Sequence, residues 1–241
     1  MTYKIIIPAR LGSTRLQNKP LKDIGGKTLL QRVVEQAKKS NADSIYVATD
    51  SEEIVKHCKK IDVESVLTSK KHKTGSDRLA EACKILGIKE DLIINVQGDE
   101  PFIEPKDIDN LYNLLVDLQA NMATMYTDLD YEDREDNNVV KLWMNDGNSV
   151  KDFSRNIDYL NPAQAKKHLG IYGYRVNFLH SFVAWEQSHN ELERNLEQMR
   201  AIDNGEKIYA IKSVGKYHIG VDTEIDLDEA IEIAKSLNES N

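Results

Sequence analysis

The amino-acid sequence predicts an α/β fold in which a mostly parallel mixed sheet is flanked by helices. Short β-rich runs alternate with amphipathic runs through the first hundred residues, and this alternation is typical of βα units. The strand candidates are almost continuously hydrophobic, as expected when helices cover both faces of a sheet. The chain has 241 residues and no linker or internal repeat, so we expect one domain over residues 1–241.

The predicted elements follow one another along the chain. Strands are predicted at YKIIIP, SIYVATD, SVLTS and LIINVQGDE, and the helices LLQRVVEQAKK, EEIVKHCKK and RLAEACKIL lie between them. Pro105 suits the first turn of a further helix that runs to Leu118. The acidic stretch YTDLDYEDREDNN is typical of a solvated loop. The strands NVVKLWM and HLGIYGYR, helices at 177–186 and 191–204, the strand KIYAI and a helix at 226–237 complete the pattern.

The composition excludes several function classes. A formal net charge of −8 argues against a protein that binds nucleic acid through its phosphates. No apolar run approaches the ~18 residues of a membrane span, and the N-terminus lacks the apolar region of a signal peptide. Cys58 and Cys83 occupy apolar positions of helix-like segments, which indicates buried thiols in a reducing compartment. We therefore expect a cytoplasmic protein that binds neither nucleic acid nor membranes.

A basic loop follows the first predicted strand, in the stretch KIIIPARLGSTRLQNKPL. It carries Arg10, Ser13, Arg15 and Lys19. Gly12 lets the backbone curl so that its amides also face inward. Because open α/β sheets bind ligands beyond the carboxyl ends of their strands, this loop is predicted to hold a polyphosphate. A solvated basic loop without a ligand is the alternative.

Two common phosphate-binding motifs are excluded by their spacing. The stretch GGKT at residues 25–28 resembles the end of a P-loop, but Leu21 occupies the position of the first required glycine. A GxGxxG dinucleotide motif is also absent. Nicotinamide and flavin chemistry are therefore not favoured.

Acidic residues follow two other strand-like stretches. Asp99 lies in NVQGDEP, at the end of the fourth predicted strand, and Asp222 lies in IGVDTEID, just before the last predicted helix. Carboxylates at such positions suit Mg²⁺, which favours one or two carboxylates together with substrate phosphates. Asp222 could instead cap the helix, although Thr223 and Asp226 can serve that purpose equally well. With the basic loop, the two aspartates indicate a metal-dependent nucleotidyl-transfer site.

Six stretches together resemble one known family. IIIPARLGSTRLQNKPL, VATD, LTSKKHKTGSDR, NVQGDEP, HLGIYGYR and GVDT are similar in order and spacing to stretches of the 3-deoxy-manno-octulosonate (KDO) cytidylyltransferases, which make CMP-KDO. The resemblance spans nearly the whole chain. It implies a Rossmann-like nucleotidyltransferase fold with a dimerisation excursion, and a homodimeric enzyme that uses CTP and Mg²⁺. Residues 130–205 or so would include the sugar-binding and dimerisation part.

The resemblance also implies roles for matching residues. Arg10 and Lys19 would hold the triphosphate and Asp99 and Asp222 would ligate Mg²⁺, so that these four form the catalytic set. The residues implied to bind CTP are Ala9, Arg10, Ser13, Arg15, Lys19, Ala48, Asp50, Thr74, Gly75, Ser76, Arg78 and Gln97. A helix N-cap is an alternative role for Ser76.

On the sugar side, the resemblance implies roles for Gln97, Arg155, His168, Tyr172 and Glu191. A single histidine on a strand is more often a hydrogen-bonded structural residue, so the role of His168 depends on the resemblance. In the implied reaction, the anomeric 2-hydroxyl of the sugar acid attacks the α-phosphorus of CTP and pyrophosphate leaves, for lipopolysaccharide or capsule synthesis. We expect no general base beyond the metal.

The sequence departs from the family pattern in charge. The usual ALYFSRxxIPW is VKDFSRNIDYL here, which introduces Asp152 and Asp158, and Arg194 replaces a glutamate that usually precedes LEQLR. One alternative is therefore a cytidylyltransferase for 8-amino-KDO or another ulosonate, because added aspartates could pair an ammonium group; a drifted, solvated surface is the plainer interpretation. A non-catalytic ligand-binding relative is a second alternative, against which Asp99 and Asp222 argue.

Overall fold

In a computed structural model, the protein is described for residues 3–12, 15–72, 74–89 and 91–239. Within them the strands are β1 (Tyr3–Ala9), β2 (Ser44–Thr49), β3 (Glu64–Leu67), β4 (Leu92–Asn95), β5 (Met122–Thr127), β6 (Lys141–Met144), β7 (Val150–Ser154), β8 (Lys166–Arg175) and β9 (Ile208–Lys212). The α-helices are α1 (Leu29–Ala37), α2 (Glu52–Lys60), α3 (Gly75–Leu86), α4 (Pro105–Asp117), α5 (Val176–Ala184), α6 (His189–Arg194), α7 (Met199–Asp203) and α8 (Glu224–Glu239).

The strands form one mixed sheet in the order β3-β2-β1-β4-β8-β5-β9. Strands β1 to β4 are mutually parallel, and β9 runs parallel to β5. Strand β8 is antiparallel to both of its neighbours, β4 and β5. The hairpin of β6 and β7 branches from the start of β8. This architecture confirms the predicted α/β class with a mostly parallel mixed sheet.

The two faces of the sheet bury alternate residues of β1. Ile5 and Ile7 pack with side chains of α1, α2 and α4, whereas Ile6 packs with side chains of α3 and α5. All three isoleucines are fully buried, and burial of each side chain contributes about 1.5–3 kcal/mol. The continuous hydrophobic run that predicted this strand is thus explained by helices on both faces.

Helix α8 packs against the segment that follows β1. Its Leu227, Ala230 and Ala234 share a core with Leu16 and Ile24. Because Asp222 immediately precedes α8, this packing brings it to the basic loop although two hundred or so residues separate them along the chain.

Three elements differ from the sequence prediction. Strands β5 and β7 were not predicted: β5 contains Met and Ala, which have low strand propensity, and β7 carries two charged residues. The Asp146-Gly147 pair between β6 and β7 is a hairpin signal, and Gly147 adopts a φ of 75°. The single helix predicted over 191–204 is wrong, since Asn195, with a φ of 53°, ends α6 before α7 begins.

Cys58 and Cys83 are buried free thiols, as predicted. Burial raises the pKa of Cys58 to about 11 and that of Cys83 to about 12, which keeps both thiols protonated and unreactive. Across the described residues, no helix has the length and apolar character needed to span a bilayer.

Candidate active site

The site lies where neighbouring strands β1 and β4 end. Because these strands are parallel and adjacent, the loop after β1 and the loop after β4 leave the same edge of the sheet. They approach closely there: a Cβ atom at Gly98 would lie 2.7 Å from the carbonyl oxygen of Pro8. Only glycine fits at position 98. The close approach of the two loops places Asp99 next to the basic loop.

Lys19 joins the two predicted metal ligands. Its Nζ lies 2.7 Å from Oδ2 of Asp99 and 2.8 Å from Oδ1 of Asp222. Burial alone would lower the pKa of Lys19, but the two carboxylates overcome this effect and raise the pKa above its ordinary value. Arg15 donates to the other oxygen of Asp222 at 2.9 Å. The site therefore holds two carboxylates among cations before any ligand is considered.

The side chain of Asp222 does not cap α8. The carboxylate of Asp226 accepts hydrogen bonds from the backbone N–H groups of Asp222 and Thr223, and the Thr223 hydroxyl accepts one from the N–H of Asp226. This reciprocal arrangement satisfies the helix terminus. The carboxylate of Asp222 is thereby left to face Lys19 and Arg15.

A cavity of about 430 Å³, here called the strand-end cavity, opens at this edge. It brings together ten of the residues proposed to bind CTP or metal, namely Ala9, Arg10, Arg15, Lys19, Thr74, Gly75, Arg78, Gln97, Asp99 and Asp222. Ala48, Asp50 and Ser76 are not among its lining residues. Ser13 lies outside the described residues. His72 also lines the strand-end cavity, and its Nε2 atom lies 2.6 Å from a carboxylate oxygen of Glu81.

The start of α3 forms one wall of the cavity. Thr74 is the N-cap of this helix, and its hydroxyl accepts from the N–H of Asp77 at 3.2 Å, so the alternative role of Ser76 as N-cap is wrong. Arg78 is almost fully buried and donates to the Thr68 hydroxyl at 2.6 Å and to Asp50 at 2.8 Å. Asp50 therefore holds the Arg78 side chain and does not line the cavity.

A second, wider cavity of about 890 Å³ shares Arg15, Gln97, Asp99 and Asp222 with the first. Of the other proposed sugar residues, His168 lines it. The Nε2 atom of His168 lies 2.9 Å from the Thr124 hydroxyl. Burial lowers the pKa of His168 to about 3, so the imidazole is neutral at physiological pH.

Three proposed sugar residues lie outside the lining of both cavities. Arg155 donates to the carbonyls of Asn137 and Asn138 at 3.0 and 3.1 Å. Tyr172 packs between the rings of His168 and Tyr174. Glu191 forms a two-pronged ion pair with Arg200, at 2.7 and 2.6 Å.

The Glu191 and Arg200 side chains are each only 4% exposed. Burial by itself would raise the pKa of Glu191, but hydrogen bonds from Arg200 and Gln187 lower the pKa below its ordinary value of 4.5. A group of this kind stabilises the fold above its unfolded-state pKa and loses that contribution as the pH falls through the native pKa. The Glu191–Arg200 pair is therefore a buried salt bridge that connects α6 to α7.

Glu191→Gln is expected to lower the free energy of unfolding by about 3 kcal/mol at pH 7, because it leaves a buried guanidinium without its charged partner. Urea denaturation followed by circular dichroism measures this loss. The difference in the free energy of unfolding between the variant and the unmodified protein should become smaller as the pH falls below 4.5. Glu193→Gln on the exposed side of α6 is the matched control; an equal loss in both variants would contradict the assignment.

Glu100 and Lys167 line the wider cavity but were not singled out in the sequence. Burial raises the pKa of Glu100 to about 7, and the charge of Asp99 adds to the rise. Lys167 is held by Asp133 at 2.7 Å. The position of Glu100 directly after Asp99 in GDEP could have indicated that Glu100 lies at the site. No sequence signal indicated Lys167, because its position beside the cavity depends on the antiparallel placement of β8.

The chain is similar to known cytidylyltransferases. Residues 4–208 match the family model described as cytidylyltransferase. A 3-deoxy-manno-octulosonate cytidylyltransferase from Polynucleobacter necessarius is 41% identical over 236 residues, covering 94% of this chain and 93% of the relative. The corresponding enzyme 2 of Actinobacillus pleuropneumoniae is 40% identical over 243 residues, covering 95% of this chain and 96% of the relative.

This chain belongs to the 3-deoxy-manno-octulosonate cytidylyltransferase family. Among solved structures, a CMP:2-keto-3-deoxy-manno-octonic acid synthetase in complex with CTP superposes with a TM-score of 0.90 at 31% identity, covering 98% of this chain and 99% of that one. Family membership confirms the resemblance stated from the sequence, the nucleotidyltransferase fold and the enzyme class, a CTP-dependent nucleotidyltransferase.

Proposed function

We propose that this protein transfers CMP from CTP to KDO, forming CMP-KDO for lipopolysaccharide synthesis and releasing pyrophosphate. The observation that carries the proposal is the convergence of Asp99 and Asp222 on Lys19 in the strand-end cavity. It occurs in a chain that is about 40% identical, over nearly its whole length, to relatives named for this activity.

The residues of the strand-end cavity suit the triphosphate of CTP. Arg10, Arg15 and Lys19 supply positive charge along one wall, and charge-assisted hydrogen bonds to phosphate are among the strongest in proteins. Binding would give Lys19 phosphate oxygens in place of a carboxylate. In the reaction, a bond forms between the anomeric oxygen of the sugar and the α-phosphorus while the bond to the β-phosphate oxygen breaks. Positioning and charge neutralisation are the main requirements of such chemistry.

Asp99 and Asp222 fit a magnesium ion. Both carboxylates already approach a single cationic group, the Lys19 ammonium, within 2.8 Å, and their hard oxygens are the ligands that Mg²⁺ prefers alongside phosphates. When bound, Mg²⁺ would neutralise phosphate charge and lower the pKa of the attacking hydroxyl. The chain's own part is to hold the two carboxylates in place, Asp99 through the close packing at Gly98 and Asp222 through the cap of α8.

The charge changes at Asp152 and Arg194 have an internal explanation. Arg194 donates to Asp152 at 2.6 Å and also to the Phe153 carbonyl at 2.9 Å and the Tyr159 hydroxyl at 2.7 Å. Neither Asp152 nor Arg194 lines either cavity. Asp152 and Arg194, two of the three charged residues that depart from the family pattern, thus neutralise each other. This pairing favours plain KDO over an amino-substituted sugar as the substrate.

Arg194→Gln is therefore expected to leave the ratio of kcat/KM for KDO and 8-amino-KDO unchanged within about twofold, while unfolding becomes easier by about 1 kcal/mol. The stability loss is small because both partners keep some solvent contact. Steady-state kinetics with both sugars and thermal unfolding provide the two readouts. A large shift of the ratio toward either sugar would indicate that Arg194 and Asp152 take part in sugar binding.

We further propose that the enzyme is a cytoplasmic homodimer, in which residues 130–205 or so supply sugar binding and dimer contacts. Two observations support this proposal. Tyr159 and Leu192 are 43% and 62% exposed within that segment, and the two buried thiols suit a reducing compartment. Sedimentation velocity of the purified protein measures the oligomeric state.

Pyrophosphate release from CTP tests the function directly. The assay compares KDO, 8-amino-KDO, other 2-keto sugar acids and a reaction without sugar. Release that requires both CTP and KDO is expected. If none of the sugar acids gives pyrophosphate release, a non-catalytic ligand-binding relative is supported instead. A higher kcat/KM for another sugar acid would make that sugar acid the substrate.

A further inference from the structure

Three consecutive backbone carbonyls in the loop between β5 and β6 are held by two cationic side chains. Nζ of Lys141 donates to the carbonyl of Asp136 at 2.6 Å. The Arg155 guanidinium donates to the carbonyls of Asn137 and Asn138 at 3.0 and 3.1 Å. The two cations are themselves joined, because Lys141 also donates to the carbonyl of Arg155 at 2.9 Å. The three loop residues are here called the carbonyl segment.

The lysine of this arrangement is part of the protein core. Lys141 is fully buried at the start of β6, a position that lysine rarely occupies. A buried ammonium group is costly to the fold unless hydrogen bonds satisfy it, and here backbone carbonyls accept them. Methionine would fill similar space without that cost. A lysine at this position therefore indicates a task beyond packing.

The carbonyl segment forms part of the wall of the wider cavity. Asp136 and Asn138 line that cavity, whereas Lys141 and Arg155 do not, so the two cations hold the segment from outside the cavity. Oδ1 of Asp136 accepts a hydrogen bond from the N–H of Asn138 at 2.7 Å. All three residues of the segment are solvent-exposed. Few packing contacts hold such a loop, so its position depends on these hydrogen bonds.

Ion pairs attach the preceding part of the same loop to strands β8 and β9. Asp133 pairs with Lys167 at 2.7 Å, and Asp128 pairs with Lys212 at 2.5 Å. The Asp128 pair is more than half exposed on both sides and therefore contributes little. Water cannot replace the contact of the buried Lys141 in the same way. The lysine is thus the firmer anchor of the loop.

We propose that Lys141 is a positioning residue for the sugar acid, which acts by holding the carbonyl segment in the wall of the wider cavity. The proposal rests on the KDO-transferring function proposed for this protein. Carboxylate and amide groups can hydrogen-bond sugar hydroxyls, and Asp136 and Asn138 bring both kinds of group to the cavity. Arg155 acts through the same segment and not on the sugar itself.

Lys141→Met is expected to raise KM for KDO about tenfold, the effect of one hydrogen bond to a charged group, because KDO binding would then have to order the segment. KM for CTP and kcat should change by less than about threefold, since the strand-end cavity is untouched. Steady-state kinetics with the full-length protein measure these values. Lys151→Met alters an exposed lysine on the neighbouring strand β7; it is the matched control and should behave as the unmodified protein.

Hydrogen–deuterium exchange of the ligand-free protein reports on the segment itself. The N–H of Val139 donates to the carbonyl of Asp136 at 3.1 Å, so amides of residues 136–139 should exchange faster in Lys141→Met. Peptides that cover residues 75–78 at the CTP site should exchange as before. If Lys141→Met fails to fold, Arg155→Gln takes its place, with the same changes in exchange and in KM for KDO expected.

The outcomes distinguish this inference from the proposed function. Absence of KDO-dependent turnover in the unmodified protein would overturn both. With normal turnover, an unchanged KM for KDO or unchanged exchange in the folded variant would overturn the role of Lys141 alone. A raised KM in Arg155→Gln without faster exchange would show direct contact of Arg155 with the sugar, which also contradicts the inference. An equal rise in both KM values, or a loss of kcat alone, would show a structural role only.

Discussion

Asp99→Asn and Asp222→Asn are each expected to lower kcat at least about a hundredfold while the protein remains folded, because each removes a negative charge from the proposed Mg²⁺ site. The fold should tolerate the change, since the caps and core contacts of the neighbouring elements use other side chains. Asparagine still accepts a hydrogen bond from Lys19 but binds a divalent ion more weakly. Pyrophosphate release at saturating CTP and KDO measures kcat, and circular dichroism checks the fold.

Glu224→Gln is the matched control for this pair of variants. It removes an acid two residues after Asp222 whose side chain is 67% exposed and whose partner is Lys22, at 3.3 Å. The control should retain the full rate. Turnover at the rate of the unmodified protein in either aspartate variant would contradict the proposal that this aspartate is a metal ligand.

Lys19→Ala and Arg10→Ala form the second test. Each is expected to lower kcat/KM for CTP at least about a hundredfold, because each deletes a proposed charge-assisted contact to the triphosphate. Lys19→Ala should have the larger effect, since it also leaves Asp99 and Asp222 facing each other without the cation between them. Initial rates over a range of CTP concentrations at fixed KDO give the values.

Lys27→Ala provides the comparison for loss of a lysine. Lys27 belongs to GGKT, and the structure pairs it with Glu35 at 2.6 Å, away from the cavity lining. Its removal should leave CTP kinetics unchanged. If Arg10→Ala and Lys19→Ala also leave them unchanged, the loop after β1 is a solvated basic loop and binds no phosphate.

Residues whose placement follows from strand order could be predicted from the sequence. Arg10 and Asp99 stand at the ends of two hydrophobic runs, and parallel strands bring such ends to one edge of a sheet. Asp222 could be added because Thr223 and Asp226 were available to cap the helix. The basic loop and the two aspartates were therefore within reach of sequence reasoning, with the family resemblance supplying the nucleotide.

Residues whose partners come from distant segments could not be predicted in this way. Strand β5 has weak strand propensity and is fixed by pairing with β8 and β9. The pairing of Glu191 with Arg200 requires the chain to turn back at Asn195, which no local pattern announces. The same holds for Arg194 and Asp152, whose opposite charges meet across separate elements.

The antiparallel insertion of β8 has a consequence for how the protein reaches its native state. Leu92 pairs with Arg175 and Asn95 with Tyr172, so β4 has an open edge until synthesis has passed β8. Such non-local pairing slows folding, and an unpaired hydrophobic strand edge favours association with other chains. Nascent chains that end before residue 166 should therefore be prone to aggregation, and the carboxylate pair at Lys19 should assemble only when the C-terminal helix docks. The ability to bind nucleotide is thus gained late in folding.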